Sequence, residues 1–248
     1  GLEDTFIGLM QGQNVDNRDL QTTLNILGWS PMGKFLCIKL CNQDESLSVK
    51  PDKVLNSTLS LKINGSFTFR CEGKLCIVVD QTQPGTDIGS LRHVLSPMIR
   101  DSCMYAGLSG TIDGIRDLKL GFRQADIALE HILREDNSHW VMAFEDCALA
   151  YIRGCALKEL PTSMLCDSTL ETLRRHDRQS GTEYYKTLRQ YLLQERNIPR
   201  TAEALIIHRT TLTYRLQKIA QLVHMDLEDP EKRLYLLLSF YLQEHEGS

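Results

Sequence analysis

The chain contains 248 residues, of which 42% are hydrophobic and 24% are charged, and its formal net charge is −4. This composition is typical of a globular protein and excludes collagen-like and low-complexity chains. No apolar run approaches the length of a membrane-spanning helix, and no basic-then-apolar signal segment opens the chain. We therefore expect a cytoplasmic protein of about two domains with no membrane partner. Because the chain begins at Gly1 rather than Met, we expect an upstream part to be missing.

Residues 1–32 form the first predicted region, which is helical. Apolar residues recur at helical spacing on both sides of a polar turn: Phe6, Ile7, Leu9 and Met10 before it, and Leu20, Leu24 and Leu27 after it. The second helix is expected to end at Gly28. Contacts with a second copy of the chain and simple packing onto the next domain are equal alternatives for these helices.

Residues 33–160 alternate between strand and helix patterns. GKFLCIKL, FTFRCEG and KLCIVVD predict strands, with a polar helix from about Lys50 to Ile63 and a hairpin turn at Cys71-Glu72-Gly73-Lys74. A helix, a strand, a long helix and a strand are then predicted over 88–101, 104–108, 114–134 and 140–144. Interleaved strands and helices predict an α+β domain whose antiparallel or mixed sheet is covered by helices on one face.

The cysteine and histidine positions indicate neither a disulfide framework nor a metal site. The eight cysteines include no C-x-x-C pair and lie at 37, 41, 71, 76, 103, 147, 155 and 166. The seven histidines show no metal-ligand spacing. We expect buried, reduced thiols, with Cys37, Cys76 and Cys103 in or beside apolar runs, and no metal or other cofactor.

Residues 161–182 are predicted to be a polar linker with a helix around 165–175. Residues 183–248 then predict an all-helical domain without a wing. Pro199 opens a short helix that reaches Ile206, and a longer helix follows His208. The longer helix has a predicted buried stripe of Leu212, Leu216, Ile219 and Val223. This arrangement is typical of a helix-turn-helix.

The opposite face of the longer helix carries hydroxyls, amides, a tyrosine and cations, which suit base edges and phosphates. Because recognition helices read bases mainly with their N-terminal residues, we expect base contacts first from Arg209, Thr210, Thr211 and Tyr214, and then from Thr213 and Gln217. For phosphate contacts we expect Arg200, Arg215 and Lys218, with Thr201 as a weaker candidate at the start of the preceding helix.

The charge of this segment supports the same interpretation. Residues 183–225 hold seven Lys/Arg and three acidic residues, a net charge of +4, whereas the whole chain carries −4. The rest of the chain therefore sums to −8. A local cationic surface on an acidic protein favours nucleic-acid binding over an ordinary solvated helix pair.

HRTTLTYRLQKI and HMDLEDPEKRLYLLLSFYL resemble the C-terminal helix-turn-helix of PucR/CdaR-type bacterial transcriptional regulators. The resemblance extends upstream through ETLRRHDRQSGTEYYKTLRQYL and covers about residues 170–245. The helix pair is also similar to the DNA-binding helices of the Fis protein. At Thr210 the family usually has Asn or another polar residue, and at Thr213 often Arg, so the resemblance does not carry over the operator sequence.

GLSGTIDGIRDLKLGFRQADIALEHIL and WVMAFEDCALAYI resemble the GGDEF-like domain that precedes this helix-turn-helix in the family. The resemblance implies that residues 33–160 form that domain and that residues 1–32 link it to an upstream sensor. True GGDEF domains condense nucleotides with a hairpin of paired glycines and paired acids. The corresponding hairpin here is Arg70-Cys71-Glu72-Gly73-Lys74, which lacks both pairs. We therefore expect a catalytically degenerate domain and no enzyme.

The sequence thus predicts a sequence-specific DNA-binding transcriptional regulator of a catabolic or metabolic pathway, missing its upstream sensor region. Its expected partners are double-stranded DNA and a second copy of the chain, since one recognition helix covers few base pairs. An unidentified small-molecule effector is a further candidate partner. The alternative is a ligand- or protein-binding dimerisation module whose helix pair does not read DNA.

Overall fold

The computed structural model describes residues 1–44, 53–134 and 139–244. The helices, in chain order, are α1 Leu2–Gln11, α2 Asn17–Leu27, α3 Lys53–Lys62, α4 Ile88–Asp101, α5 Leu118–Arg134, α6 Phe144–Leu157, α7 Thr162–Leu165, α8 Ser168–Ser180, α9 Tyr184–Leu193, α10 Ile198–Leu205, α11 Arg209–Val223 and α12 Pro230–Glu244. The strands are β1 Lys34–Asn42, β2 Ser66–Cys71, β3 Lys74–Asp80, β4 Met104–Leu108, β5 Ile112–Asp113 and β6 Val141–Ala143. A 3-10 turn at Ile115–Asp117 precedes α5. The predicted start of α3 at Lys50 lies outside the described residues.

The chain divides into two compact units, residues 1–151 and 152–248. The division falls inside α6, upstream of the stretch predicted to be a linker. Leu170 and Leu173 of α8, which lies in that stretch, are fully buried in the core of the second unit. The helices of residues 1–32 belong to the first unit, where Phe6 and Leu24 are fully buried. Both segments therefore contribute to hydrophobic cores.

The first unit is built on one mixed sheet. Over the described residues its strand order is β2-β3-β1-β4-β6, with β5 beside β1. β4 and β6 run parallel, and the other neighbours run antiparallel. β2 and β3 form the predicted hairpin, because Cys71 pairs with Lys74 across a two-residue turn. Glu72 and Gly73 have φ angles of 52° and 77°, the left-handed pair that a tight hairpin turn needs.

Helices cover both faces of this sheet, so the expectation of cover on one face is wrong. Alternate residues of β1 point to opposite sides, as the period of a strand requires. Leu36, Ile38 and Leu40 pack with α3 and α4, whereas Phe35 and Cys37 pack with α1, α2 and the start of α5. Packing onto the sheet was one of the two alternatives for the helices of residues 1–32, and α1 and α2 do form part of this second layer.

Two further predictions for the first unit need correction. The predicted strand at 140–144 ends at Ala143, and the residues from Phe144 form α6, whose Glu145 and Asp146 lie in its first turn. Cys103, predicted to be buried, is exposed at a turn with φ 52°, and Cys155 in the second unit is exposed too, although Cys37 and Cys76 are buried as predicted. Throughout the described ranges, every helix is too short or too polar to cross a bilayer.

Candidate nucleic-acid interface

The core of the second unit fixes the position of α11. Ile219 on α11 is buried with Leu188 on α9 and Phe240 on α12, and the predicted stripe residues Leu216 and Val223 pack against the same cluster. Leu212, near the start of the helix, is fully buried. The apolar stripe therefore faces inward, and the opposite side of α11 is left to solvent.

The two helices of the predicted motif meet at a tight turn. Asn197 caps α10, with its side-chain oxygen 3.0 Å from the Arg200 amide nitrogen. Ile206 ends α10 in the left-handed conformation, with φ 55° and ψ 46°. His208 then caps α11: its Nδ1 accepts from the Thr210 amide at 3.4 Å and lies 2.8 Å from the Thr210 hydroxyl. Only Ile206 and Ile207 separate the last residue of α10 from the cap of α11.

The outward face of α11 holds all six side chains that the sequence predicted for base contacts, together with Lys218, which it predicted for a phosphate contact. Seven predicted contact residues are exposed on it: Arg209, Thr210, Thr211, Thr213, Tyr214, Gln217 and Lys218. The Lys218 ammonium lies 5.5 Å from the centre of the Tyr214 ring, close enough for a cation–π contact. The Thr213 hydroxyl donates to the Arg209 carbonyl at 3.0 Å, which leaves its lone pairs free to accept.

Thr201 is a correction to the predicted set. Its side chain is fully buried, and its hydroxyl donates to the Asn197 carbonyl at 2.7 Å. The burial follows from helical spacing, because Thr201 shares the inner face of α10 with the buried Ala202 and the half-buried Leu205. Thr201 therefore stabilises the start of α10, and its hydroxyl does not reach the surface.

Arg215 also departs from its predicted role as an outward phosphate contact. One guanidinium nitrogen lies 3.2 Å from a Glu183 carboxylate oxygen and 3.2 Å from the Thr187 hydroxyl oxygen. Its side chain is only 21% exposed. Thr187 is fully buried and already donates to the Glu183 carbonyl, so its oxygen accepts from Arg215. Arg215 ties α11 to the first turn of α9.

The cations of this unit fall into two groups. Arg189 and Arg196 form ion pairs with Glu244 and Glu228. Arg200, Arg209 and Lys218 form no ion pair among the described residues, and all three are exposed. Three unpaired cations on and beside α11 produce a local positive potential that attracts a polyanion.

Sequence reasoning missed two residues at the turn. His208 is an unusual helix cap, and only its position directly before the apolar stripe of α11 could have indicated the role. Ile206 is 91% exposed although it is large and apolar. In the described parts of the chain, no group of three His, Cys, Asp or Glu side chains could hold a metal ion.

Comparison with known proteins found a matching family model and similar transcriptional regulators. Residues 184–242 match the family model described as the PucR C-terminal helix-turn-helix domain. The proline-responsive transcriptional activator PutR of Bacillus subtilis is 40% identical over 73 residues, covering 29% of this chain and 18% of PutR. The purine catabolism regulatory protein of the same species is 25% identical over 233 residues, covering 85% of this chain and 42% of that protein.

The chain spans less than half the length of either of these curated relatives. A crystal structure of a regulator of polyketide synthase expression from Bifidobacterium adolescentis aligns over 100% of this chain and 93% of its own, with 18% identity and a TM-score of 0.46. The matched residues 184–242 contain α9, α10 and α11 and most of α12, the helices that build and support the exposed face. The chain carries a PucR-type C-terminal helix-turn-helix domain and is related to PucR-family transcriptional regulators.

Proposed function

We propose that this chain is a sequence-specific DNA-binding transcriptional regulator that places α11 in the major groove. The observation that carries the proposal is the exposed face of α11, where hydroxyl, amide, phenol and cationic groups lie opposite an apolar stripe fixed in the core. An α-helix fits the major groove, and these groups match the donors and acceptors of base edges. The relatives named above are regulators, which favours this function over a module that only dimerises.

The proposed contacts divide by position along α11. Arg209, Thr210 and Thr211 lie in the first turn, where a recognition helix approaches the bases. Tyr214 follows one turn later, beside Thr213 and Gln217, and completes the base-reading surface. Lys218 and Arg200 are exposed cations farther along α11 and on α10, and they bind phosphates. Thr201 and Arg215 are not among the proposed contacts, because both are engaged inside the domain.

Three finer proposals accompany this function. The chain acts as a homodimer in the cytoplasm, because a single recognition helix covers few base pairs and two half-sites need two copies.

The sheet unit is a catalytically degenerate GGDEF-like domain without enzymatic activity. Its β2–β3 turn, Glu72-Gly73, carries neither the paired glycines nor the paired acids of a nucleotide-condensing hairpin. The regulated genes belong to a catabolic or metabolic pathway, and an unidentified small-molecule effector controls the regulator.

The experiment is selection of bound duplexes from a random-sequence pool by the full chain, followed by sequencing. The proposal predicts enrichment of a defined motif by the wild type and loss of enrichment by Arg209→Ala and Tyr214→Ala. Arg178→Ala is the matched control: this α8 arginine is exposed and pairs with Glu171, outside the proposed contact set. Failure of the wild type to enrich any motif at low salt would contradict the proposal.

A further inference from the structure

Exposed apolar side chains in the second unit are concentrated on α6, α7 and α12 and the segment between α6 and α7. Six large side chains are between 38% and 69% exposed: Ile152, Leu160, Met164, Leu234, Tyr235 and Leu238. We call these six residues the α12 surface. Contacts within the unit connect these elements. The Tyr235 hydroxyl donates to the Leu165 carbonyl at 3.1 Å, and the Arg153 guanidinium lies 5.8 Å from the Tyr241 ring centre.

The pattern of α12 shows why this surface needs an explanation. Leu236 and Phe240 are buried on its inner side, yet Leu234 and Leu238 repeat at a spacing of four on the outer side. A helix with one partner is polar on its free face, whereas an apolar residue on both faces is typical of a helix with two partners. Among the described residues, the second unit supplies only the inner partner.

We propose that the α12 surface is the interface with a second copy of this chain. The proposal rests on the DNA-binding function proposed above, which requires two recognition helices. Exposed fractions of this size on six large residues correspond to roughly 500 Å² of apolar surface, near the upper end of what a monomer leaves uncovered. Specific interfaces bury about 800 Å² per partner, so this surface with a polar rim has the size of a modest dimer contact.

The charges around the surface fit a self-complementary contact. Arg153 and Lys158 are cationic, Glu159 and Glu231 are anionic, and none of the four forms an ion pair among the described residues. In a two-fold symmetric dimer the same surface of both copies meets. Because this rim carries two cations and two anions, the cations of one copy can pair with the anions of the other. A strongly acidic or basic partner would meet like charges on part of this rim. The two-fold contact also predicts inverted half-sites in the operator.

The test compares the wild type with the double variant Leu234→Glu, Met164→Glu in the full chain. Its matched control is Ile26→Glu, Leu120→Glu, which makes the same chemical change at side chains that are 65% and 64% exposed in the first unit. Sedimentation velocity over a wide concentration range measures self-association, and circular dichroism checks the fold. We expect the wild type and the control to dimerise, and the double variant to stay a folded monomer.

Binding to DNA separates this proposal from the proposed function. On a selected duplex with two half-sites, the double variant should bind at least roughly tenfold more weakly than the wild type, a difference of about 1.4 kcal/mol. On a duplex with one half-site it should bind as well as the wild type. Should no protein bind DNA while the variant still loses dimerisation, the function would fail and the interface would stand. Dimerisation of the double variant at wild-type strength, or a wild type that is monomeric both free and on DNA, would overturn the interface.

Discussion

The guanidinium of Arg215 on α11 lies 3.2 Å from the carboxylate of Glu183 at the start of α9. The same nitrogen contacts the hydroxyl of the buried Thr187. These contacts hold α11 at one angle to α9. The sequence predicted that Arg215 binds a phosphate, whereas in the structure Arg215 positions α11. A positioning contact and a phosphate contact have different salt dependences, because only the phosphate contact releases counterions from DNA.

Replacing Arg215 by Ala therefore should lower DNA affinity without changing its salt dependence. The loss of the contact to Thr187 leaves a buried acceptor unpaired and should destabilise the second unit by about 1 kcal/mol. Glu183→Gln should lower affinity in the same direction, since it weakens the same contact. Fluorescence anisotropy at several salt concentrations gives the slope for each variant. Two results together would show that Arg215 contacts a phosphate instead. The slope of log affinity against log salt would fall by about 0.9 in Arg215→Ala, and Glu183→Gln would bind DNA more tightly than the wild type.

Lys218→Ala should behave as the loss of a phosphate contact. Lys218 is exposed and forms no ion pair with any residue that the structure describes; its ammonium contacts the Tyr214 ring and is available to DNA. Removing it should reduce the slope of log affinity against log salt by about 0.9 and weaken binding to all duplexes to a similar extent. Titration against the selected duplex and a scrambled one measures both effects. Weakening confined to the selected sequence would show that Lys218 reads a base.

Ile206→Gly should stabilise the second unit. Ile206 has φ 55°, a conformation that costs a residue with a side chain about 1–2 kcal/mol, and its 91% exposure means that little packing is lost. Ile206→Ala is the control, because alanine keeps the strain. Hydrogen exchange of the α10 and α11 amides in the full chain should slow for Gly only. Equal or faster exchange in the glycine variant would indicate that the isoleucine side chain makes a stabilising contact.

The buried thiol of Cys76 should make the sheet unit less stable at alkaline pH. Burial raises the pKa of Cys76 from its ordinary value of 9.0 to about 12, and burial also raises the pKa of Cys37. The unfolded chain ionises first, so the stabilisation is complete below pH 9 and is lost as pH rises from 9 toward 12. Trp29 and Trp140 both lie in the first unit, so tryptophan fluorescence during urea unfolding reports on it.

Cys76→Ala should show a weaker pH dependence over that range, although the variant is less stable overall because it leaves a cavity. Cys155→Ala serves as the control, since Cys155 is exposed. An unchanged pH dependence in Cys76→Ala would mean that its thiol does not contribute.

Local signals in the sequence predicted much of this architecture. The Cys71–Lys74 hairpin followed from Glu72-Gly73 between two alternating segments, and the α11 face followed from the spacing of Leu212 and Ile219. The packing of α1 on the sheet was left as one of two alternatives, because the contact between Phe6 and Phe69 joins residues far apart in the chain. Arg215 was misplaced for a related reason: its partner Glu183 lies on another helix. Periodicity locates a face, but it does not show what a neighbouring element offers to it.

The most direct measurement is the salt dependence of binding by the full chain to the duplex that it selects, for the wild type, Arg209→Ala and Arg178→Ala. Arg209 is the first residue of α11, exposed and unpaired among the described residues, and Arg178 lies on α8 outside the contact set. We predict tight binding that weakens steeply with salt, a loss of about 1–3 kcal/mol in Arg209→Ala, and no change in Arg178→Ala. Binding that is absent at low salt, or equal in all three proteins, would contradict it.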